Sequence, residues 1–244
     1  MKLLGKPKRM TACLVTVALA AGLAPSVALA ADDLGDDVVG VPVFQFSDVE
    51  DGAWYKDVVY YAYENGIMKG YAGTYLFGPD DTFARQDVAC MLFKWLAPEE
   101  SADWDWDTIP AINNDTTYSD ASDFRYYTAP LNWVQKNELI AGYSDGSNRF
   151  GVGDGMTREQ FAVILKRIDE KFFTDSVAIA SLASSASTFQ DYDEVSPWAQ
   201  DAVNWACSKG LFTGDGGNLY PQRTITRAEA AKITSVYHQA VSAK

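Results

Sequence analysis

Thr226-Arg227-Ala228-Glu229, close to the C-terminus, reads as the opening of a helix. Thr226 can cap the free amides of the first turn, and Glu229 can reach back to the N–H of the cap itself. Arg227 is the oddity, because the positive end of the helix dipole disfavours a cation at the first helical position. The arrangement recurs as Thr157-Arg158-Glu159-Gln160 and, degraded, as Ala84-Arg85-Gln86-Asp87. An arginine set three times at a helix start makes a place for an anion, since guanidinium, amides and dipole all favour negative charge. The competing reading is that each arginine simply pairs with a nearby aspartate.

The rest of the chain repeats around these three arginines. Gly70, Gly142 and Gly214 are equally spaced, and aligning on them brings the whole sequence into register. Each repeat opens with aromatic-x-Asp: Phe46-Ser47-Asp48, Tyr118-Ser119-Asp120 and Phe189-Gln190-Asp191. An aromatic then starts a helix (Trp54, Tyr126, Trp198), and a second follows two turns on (Tyr61, Trp133, Trp205), read as core. Asn65-Gly66 and Lys209-Gly210 close that helix, glycine being suited to a left-handed cap, while the second repeat carries Glu138 there. A loop rich in Gly, Asp and Asn follows, with an apolar plug at Phe77, Phe150 and Leu219. A second helix starts at the arginine, with Ala89, Met91 and Leu92 matching Ala162, Ile164 and Leu165, and Ala231 and Ile233 following in the third. Neither helix of a unit is long enough to stand alone, so three units must bury their stripes together. The expected fold is mainly α: three helix-loop-helix repeats at 46–96, 118–171 and 189–240, joined by linkers at 97–117 and 172–188. Ser176 to Ala183 is expected to form a short helix on the bundle.

The N-terminus reads as a secretory signal. Lys2, Lys6, Lys8 and Arg9 precede an apolar run from Ala12 to Ala24, and Ala28-Leu29-Ala30 offers a small-residue cleavage site, so residues 1–30 are expected to be removed. An acidic arm, 31–45, follows. The full chain of 244 residues has a net charge of −13, and loss of the basic leader makes it still more acidic. Nucleic acid and an acidic membrane surface both need a basic face, so neither is an expected partner. An anionic ligand would have to be held by local, well-aimed arginines against the net field. No later stretch is apolar enough for membrane insertion after signal cleavage. In an exported protein Cys90 and Cys207 could form one disulfide, but nothing in their spacing requires it, and two free thiols is the favoured reading.

The order of aromatic-x-Asp, Trp, Gly, Gly-Tyr, Phe-x-Pro and Ile225-Thr226-Arg227-Ala228-Glu229 resembles the S-layer homology (SLH) domain, here as a triplet. The resemblance implies a pseudo-trimeric, three-pronged bundle of helical hairpins. It also implies an exported protein at the cell wall or S-layer, bound non-covalently to an anionic, pyruvate-ketal-bearing secondary cell-wall polysaccharide in grooves between prongs. Carried over position by position, Arg85, Arg158 and Arg227 would meet the ketal carboxylate. Asp48, Asp120 and Asp191 would serve sugar hydroxyls or order the groove, with a helix-cap role as the rival. Trp54 and Trp198 would stack on the sugar, and Gly70, Gly142 and Gly214 would let backbone approach it. Tyr126 for tryptophan, Glu138 for glycine and Ala84 for the capping threonine depart from the pattern. The grooves are therefore expected to be unequal, with Arg227 in the best one.

Little supports catalysis. His238 is the single histidine, so neither a Ser/His nor a Cys/His constellation is available. Asp103-Trp104-Asp105-Trp106-Asp107 begins like a calcium loop, but Thr108 and Asn114 stand where glycine and glutamate should be, which favours a solvated linker. No catalytic residue, metal site or cofactor is expected. The runner-up is a structural S-layer or envelope protein acting mainly through contacts with other envelope proteins. A third reading is a polysaccharide hydrolase, for which no carboxylate pair stands out.

Overall fold

The computed structural model describes residues 44–104, 113–173 and 183–242. The chain divides into two units at Val43, and all described residues lie in the second, Phe44–Lys244. The expected leader, almost all of the acidic arm, the end of the acidic run at 105–107 and nearly all of the short helix expected at 176–183 lie outside the described residues.

Six α-helices are described: α1 (Lys56–Glu64), α2 (Arg85–Leu96), α3 (Thr128–Lys136), α4 (Arg158–Phe172), α5 (Gln200–Ser208) and α6 (Arg227–Ser242). The aromatics expected to start the first helix of each repeat sit two residues ahead of it, in the preceding turn. Those helices end alike. Ile67, Leu139 and Leu211 donate to the carbonyls of Ala62, Val134 and Ala206 at 2.8, 3.0 and 2.9 Å, closing the wide turn that needs a left-handed residue. Gly66 and Gly210 supply it at φ +67° and +73°, and Glu138 adopts it too, at +58°.

The helices that pack together come from successive repeats. α2 packs on α3, α4 on α5, and α6 on α1. The last pairing closes the ring: Ser235 Oγ donates to Val58 O at 3.1 Å, and Tyr61 Oη lies 2.8 Å from His238 Nδ1. Each prong therefore joins two repeats, and the third prong joins the last repeat to the first.

A backbone triangle fixes the axis of this ring. Phe83 N–H donates to Ile225 O (3.0 Å), Ile225 N–H to Met156 O (2.8 Å), and Met156 N–H to Phe83 O (2.9 Å). These are the residues two positions before each arginine, and all three side chains are buried. Tyr237 of α6 donates to Asp169 Oδ1 of α4 at 2.8 Å, with Trp95, Phe173 and Trp205 packed around its ring. The plugs Phe77, Phe150 and Leu219 and the apolar stripes of α2, α4 and α6 all lie in the core. Of the second aromatics, Trp133 is buried, while Tyr61 and Trp205 are half-buried against the core. Cys90 and Cys207 are free and buried.

The caps divide as the sequence suggests. Thr157 and Gln160 form a reciprocal capping box, and Thr226 and Glu229 form another, with amide-to-side-chain distances of 3.0–3.3 Å. Ala84, in the same extended conformation, has no side chain to offer. Replacing Ala84 by Thr is expected to raise the unfolding free energy by about 1 kcal/mol. Urea denaturation checks this, and an unchanged midpoint would show that α2 gains nothing from a cap.

Candidate functional site

Each arginine reaches out of its own repeat into the loop of the next. Arg85 donates from Nε to Phe150 O (2.7 Å) and from Nη2 to Ala141 O (2.8 Å). Arg227 does the same to Phe77 O and Lys69 O, both at 2.7 Å. Arg158 donates from Nε to Leu219 O (2.8 Å) and sets Nη1 3.3 Å from Glu229 Oε1. Exposure is 4 %, 7 % and 6 % for Arg85, Arg158 and Arg227. Tyr143, Phe212 and Tyr71 lie 4.8, 5.1 and 4.8 Å from the respective guanidinium carbons, within reach of a cation–π attraction. Burial lowers all three pKa values against the opposing pull of nearby tyrosines and carboxylates. An arginine starts so high that each remains a cation.

The helix amides expected to share an anion with these arginines are already bonded. Arg85 N–H donates to Asp154 O, Arg158 N–H to Arg223 O and Arg227 N–H to Asp81 O, at 2.9–3.0 Å. Glu159 and Ala228 N–H donate to Pro221 O and Pro79 O. Simple aspartate pairing does not describe the arrangement. Among the described residues, only Arg158 of the three has a carboxylate oxygen within 4 Å, that of Glu229; Arg85 and Arg227 are held chiefly by carbonyls.

The three aspartates complete the same device. Asp48 accepts from Phe77 and Gly78 N–H at 2.8 and 2.7 Å, and Asp191 from Leu219 and Tyr220 N–H at 2.7 and 2.6 Å. Asp120 accepts from Phe150, Gly151 and Val152 N–H at 2.7, 2.8 and 2.9 Å. Each plug residue thus has its N–H held by the aspartate of its own repeat and its carbonyl held by the arginine of the preceding one. Burial would raise the Asp120 pKa, but the three amides outweigh it and hold it below the ordinary value. These positions order the loop and do not cap a helix.

The aligned glycines have a packing reason. A Cβ at Gly70 would lie 2.5 Å from both Leu76 O and the Phe46 ring. At Gly142 it would meet the Tyr118 ring at 2.4 Å, and at Gly214 the Phe189 ring at 2.3 Å. The aromatic that opens each repeat occupies the space in question.

Beside the repeat-1 loop these parts enclose a cavity of about 300 Å³. Lys69, Gly70 and Tyr71 form one wall, Asp87 and Met91 of α2 another, and Tyr126 and Arg227 complete it. Tyr126 Oη donates to Asp87 Oδ1 at 2.7 Å, and Gln86 Nε2 reaches the same hydroxyl at 3.4 Å. Burial and the neighbouring Asp81 push the Tyr71 phenol up to about 12. Trp54 and Trp198, which align with Tyr126, are 60 % and 59 % exposed, and Lys232 Nζ stands 5.7 Å from the Trp54 ring. Among the described residues no group of His, Cys, Asp and Glu could hold a metal ion.

The S-layer homology domain family matches residues 45–89, 117–162 and 188–231, and so more than half of the chain. The chain belongs to the S-layer homology domain family. It is 29 % identical over 189 residues to an exoglucanase, XynX, of Acetivibrio thermocellus, covering 77 % of this chain and 16 % of that protein. It is 26 % identical over 168 residues to a cellulosome-anchoring protein of the same organism (68 % and 34 %) and 25 % identical over 226 residues to the S-layer protein sap of Bacillus anthracis (93 % and 24 %). The chain thus spans about a third or less of the length of these relatives. Its SLH triplet marks it as a cell-surface anchoring module located at the cell wall. No helix among the described residues is long and apolar enough to cross a membrane.

Of the expected site residues, the fold brings Arg227 and Gly70 together in one cavity although they lie at opposite ends of the SLH triplet. Lys69, Tyr71 and Asp87 line the same cavity; in the sequence Lys69 and Tyr71 were not singled out, and Asp87 stood only as part of a helix start. The Gly-Tyr pair at 70–71 and 142–143 was the signal available for the tyrosine, since the ring packs over the arginine of the preceding repeat. The third SLH repeat has Asp215 after its glycine, and there Phe212 covers Arg158 instead.

Proposed function

We propose that this SLH triplet is a non-catalytic wall-binding module whose inter-repeat grooves hold an anionic secondary cell-wall polysaccharide. The observation that carries the reading is the cavity beside the repeat-1 loop. A buried guanidinium, an aromatic ring and the Lys69-Gly70 backbone converge there, a combination suited to a sugar ring bearing a carboxylate, such as a pyruvate ketal. The arginine supplies fixed positive charge in a water-poor wall, where an ion is worth more than at an open surface. Arg85 and Arg158 would serve the related grooves, and Trp54 and Trp198 would stack on sugar at their mouths. Asp48, Asp120 and Asp191 contribute by ordering the loops that frame each groove, and Gly70, Gly142 and Gly214 by admitting the aromatic beneath them.

The test is a pull-down with purified sacculi, before and after removal of the secondary polymer and of its ketal groups. Retention is expected only with polymer and ketal present. Trp54→Ala and Trp198→Ala are the variants of choice, since these rings are exposed and leave the core untouched. Loss of a stacking platform of this kind is expected to weaken retention by roughly tenfold. Retention on stripped sacculi, or tryptophan variants that bind like wild type, would overturn the proposal. One observation favours a second reading, assembly through protein contacts. Phe44, Tyr75 and Leu76 form an exposed apolar ledge on the first SLH repeat, with Phe44 stacked on Tyr63. Self-association in sedimentation that is lost in Tyr75→Ser would support it.

A further inference from the structure

Glu138 occupies left-handed backbone where the other two SLH repeats place glycine. A side chain strains the main chain there, and such strain persists where the surroundings enforce it and often marks a functional position. Here α4 enforces it. Arg167 donates from Nη1 to Leu139 O at 3.0 Å and Lys171 donates to Asn137 O at 2.7 Å, so the carbonyls on both sides of Glu138 are clamped. The matching positions of α6, Val236 and Ala240, can do neither.

The strained turn opens on a cavity of about 540 Å³ lined by Tyr118, Gln135, Glu138, Ile140, Ala141 and Arg167. The lining thus includes an exposed glutamate, a glutamine and an arginine beside a tyrosine and an isoleucine. The carboxylate can accept from two neighbouring hydroxyls, the guanidinium donates, and the amide does both. One acid and one base leave no dominant charge, so the lining suits an uncharged, hydroxyl-rich ring with one apolar face.

We propose that the Gln135–Glu138–Arg167 cavity is a neutral-sugar subsite, peculiar to the second SLH repeat, that takes an uncharged unit of the bound glycan. The inference rests on the glycan reading above but involves none of the residues assigned to the carboxylate. It also explains why a strained glutamate stands in a glycine position: its side chain serves the ligand at the expense of the fold.

The experiment is an NMR titration of the isotope-labelled chain with N-acetylglucosamine, N-acetylmannosamine and glucose in millimolar excess, alongside thermal unfolding. At least one sugar is expected to shift the Gln135 side-chain amide, Arg167 Nε and the Ala141 amide. Glu138→Gly is expected to raise Tm by about 2–4 °C and to weaken that binding roughly tenfold. Gln135→Ala is expected to weaken it with Tm unchanged. No shift at these resonances with any of the three sugars overturns the proposal, as does a Glu138→Gly variant that binds like wild type or is no more stable. If the ketal-bearing polymer leaves Arg227 unmoved, the carboxylate reading falls while the neutral-sugar shifts still decide this cavity.

Discussion

Replacing Arg227 by alanine is expected to lower the unfolding free energy by about 3 kcal/mol. Its Nε and Nη2 donate to Phe77 O and Lys69 O, hydrogen bonds from a charged group that contribute about 1.5–3 kcal/mol each. The substitution orphans both acceptors and empties the space between the rings of Tyr71, Phe77 and Phe83, which stand 4.8–5.5 Å from the guanidinium carbon. Such a loss is a large fraction of the stability of an ordinary domain. Lysine is expected to recover less than half of it, because an ammonium on a flexible stem cannot span two carbonyls as a planar fork does. Urea denaturation reads the effect as a lower midpoint at similar slope. A loss below about 1 kcal/mol would mean that the interlock between the last repeat and the first contributes little. Because this arginine also lines the proposed groove, lost wall binding in the variant counts only where the protein is shown to be folded.

The Asp120→Asn variant is expected to lose about 2 kcal/mol at pH 7 and almost nothing in acid. Three amides point at the carboxylate, and Arg149 Nε stands 3.6 Å from Oδ2. Asparagine keeps one acceptor oxygen and turns an NH₂ towards donors. Burial would raise the pKa of Asp120, but the backbone amides outweigh it and hold the folded-state value below the ordinary 3.8. Its contribution is therefore fully present above that ordinary value and is lost as pH falls through the depressed one. Denaturation of wild type and variant at pH 7, 4 and 3 should show the two curves converging at the acid end. A gap of equal size at pH 3 and pH 7 would rule out the carboxylate as the source.

Both expectations concern residues that the SLH resemblance gave a part in ligand binding, Arg227 towards the carboxylate and Asp120 towards sugar hydroxyls or the order of the groove. An arginine at the start of a helix offers the same chemistry to a carboxylate and to a pair of carbonyls. Local sequence cannot say which will be within reach. The nearest local candidates were the first-turn amides, and these are spent on Asp81, Asp154 and Arg223 carbonyls from other repeats. The aspartates follow the same logic. Each sits about thirty residues from the amides it holds, too far for a capping argument to find.

The sequence by itself determined the repeat architecture, the core and the helix caps of this SLH triplet. Equal spacing of Gly70, Gly142 and Gly214 fixed three units, and apolar periodicity placed Met91, Ile164 and Ile233 inside, because burial at helical spacing is a local pattern. Thr157 and Thr226 were legible as caps for the same reason: the bonded groups lie within one turn. Only the tertiary structure decided which helices pair, since α6 with α1 joins the two ends of the triplet and no local signal distinguishes that from pairing within a repeat. It also decided that Arg227 serves the first SLH repeat and that Glu138 can be held in a glycine conformation. Those outcomes depend on carbonyls and cations delivered from remote segments once the ring has closed.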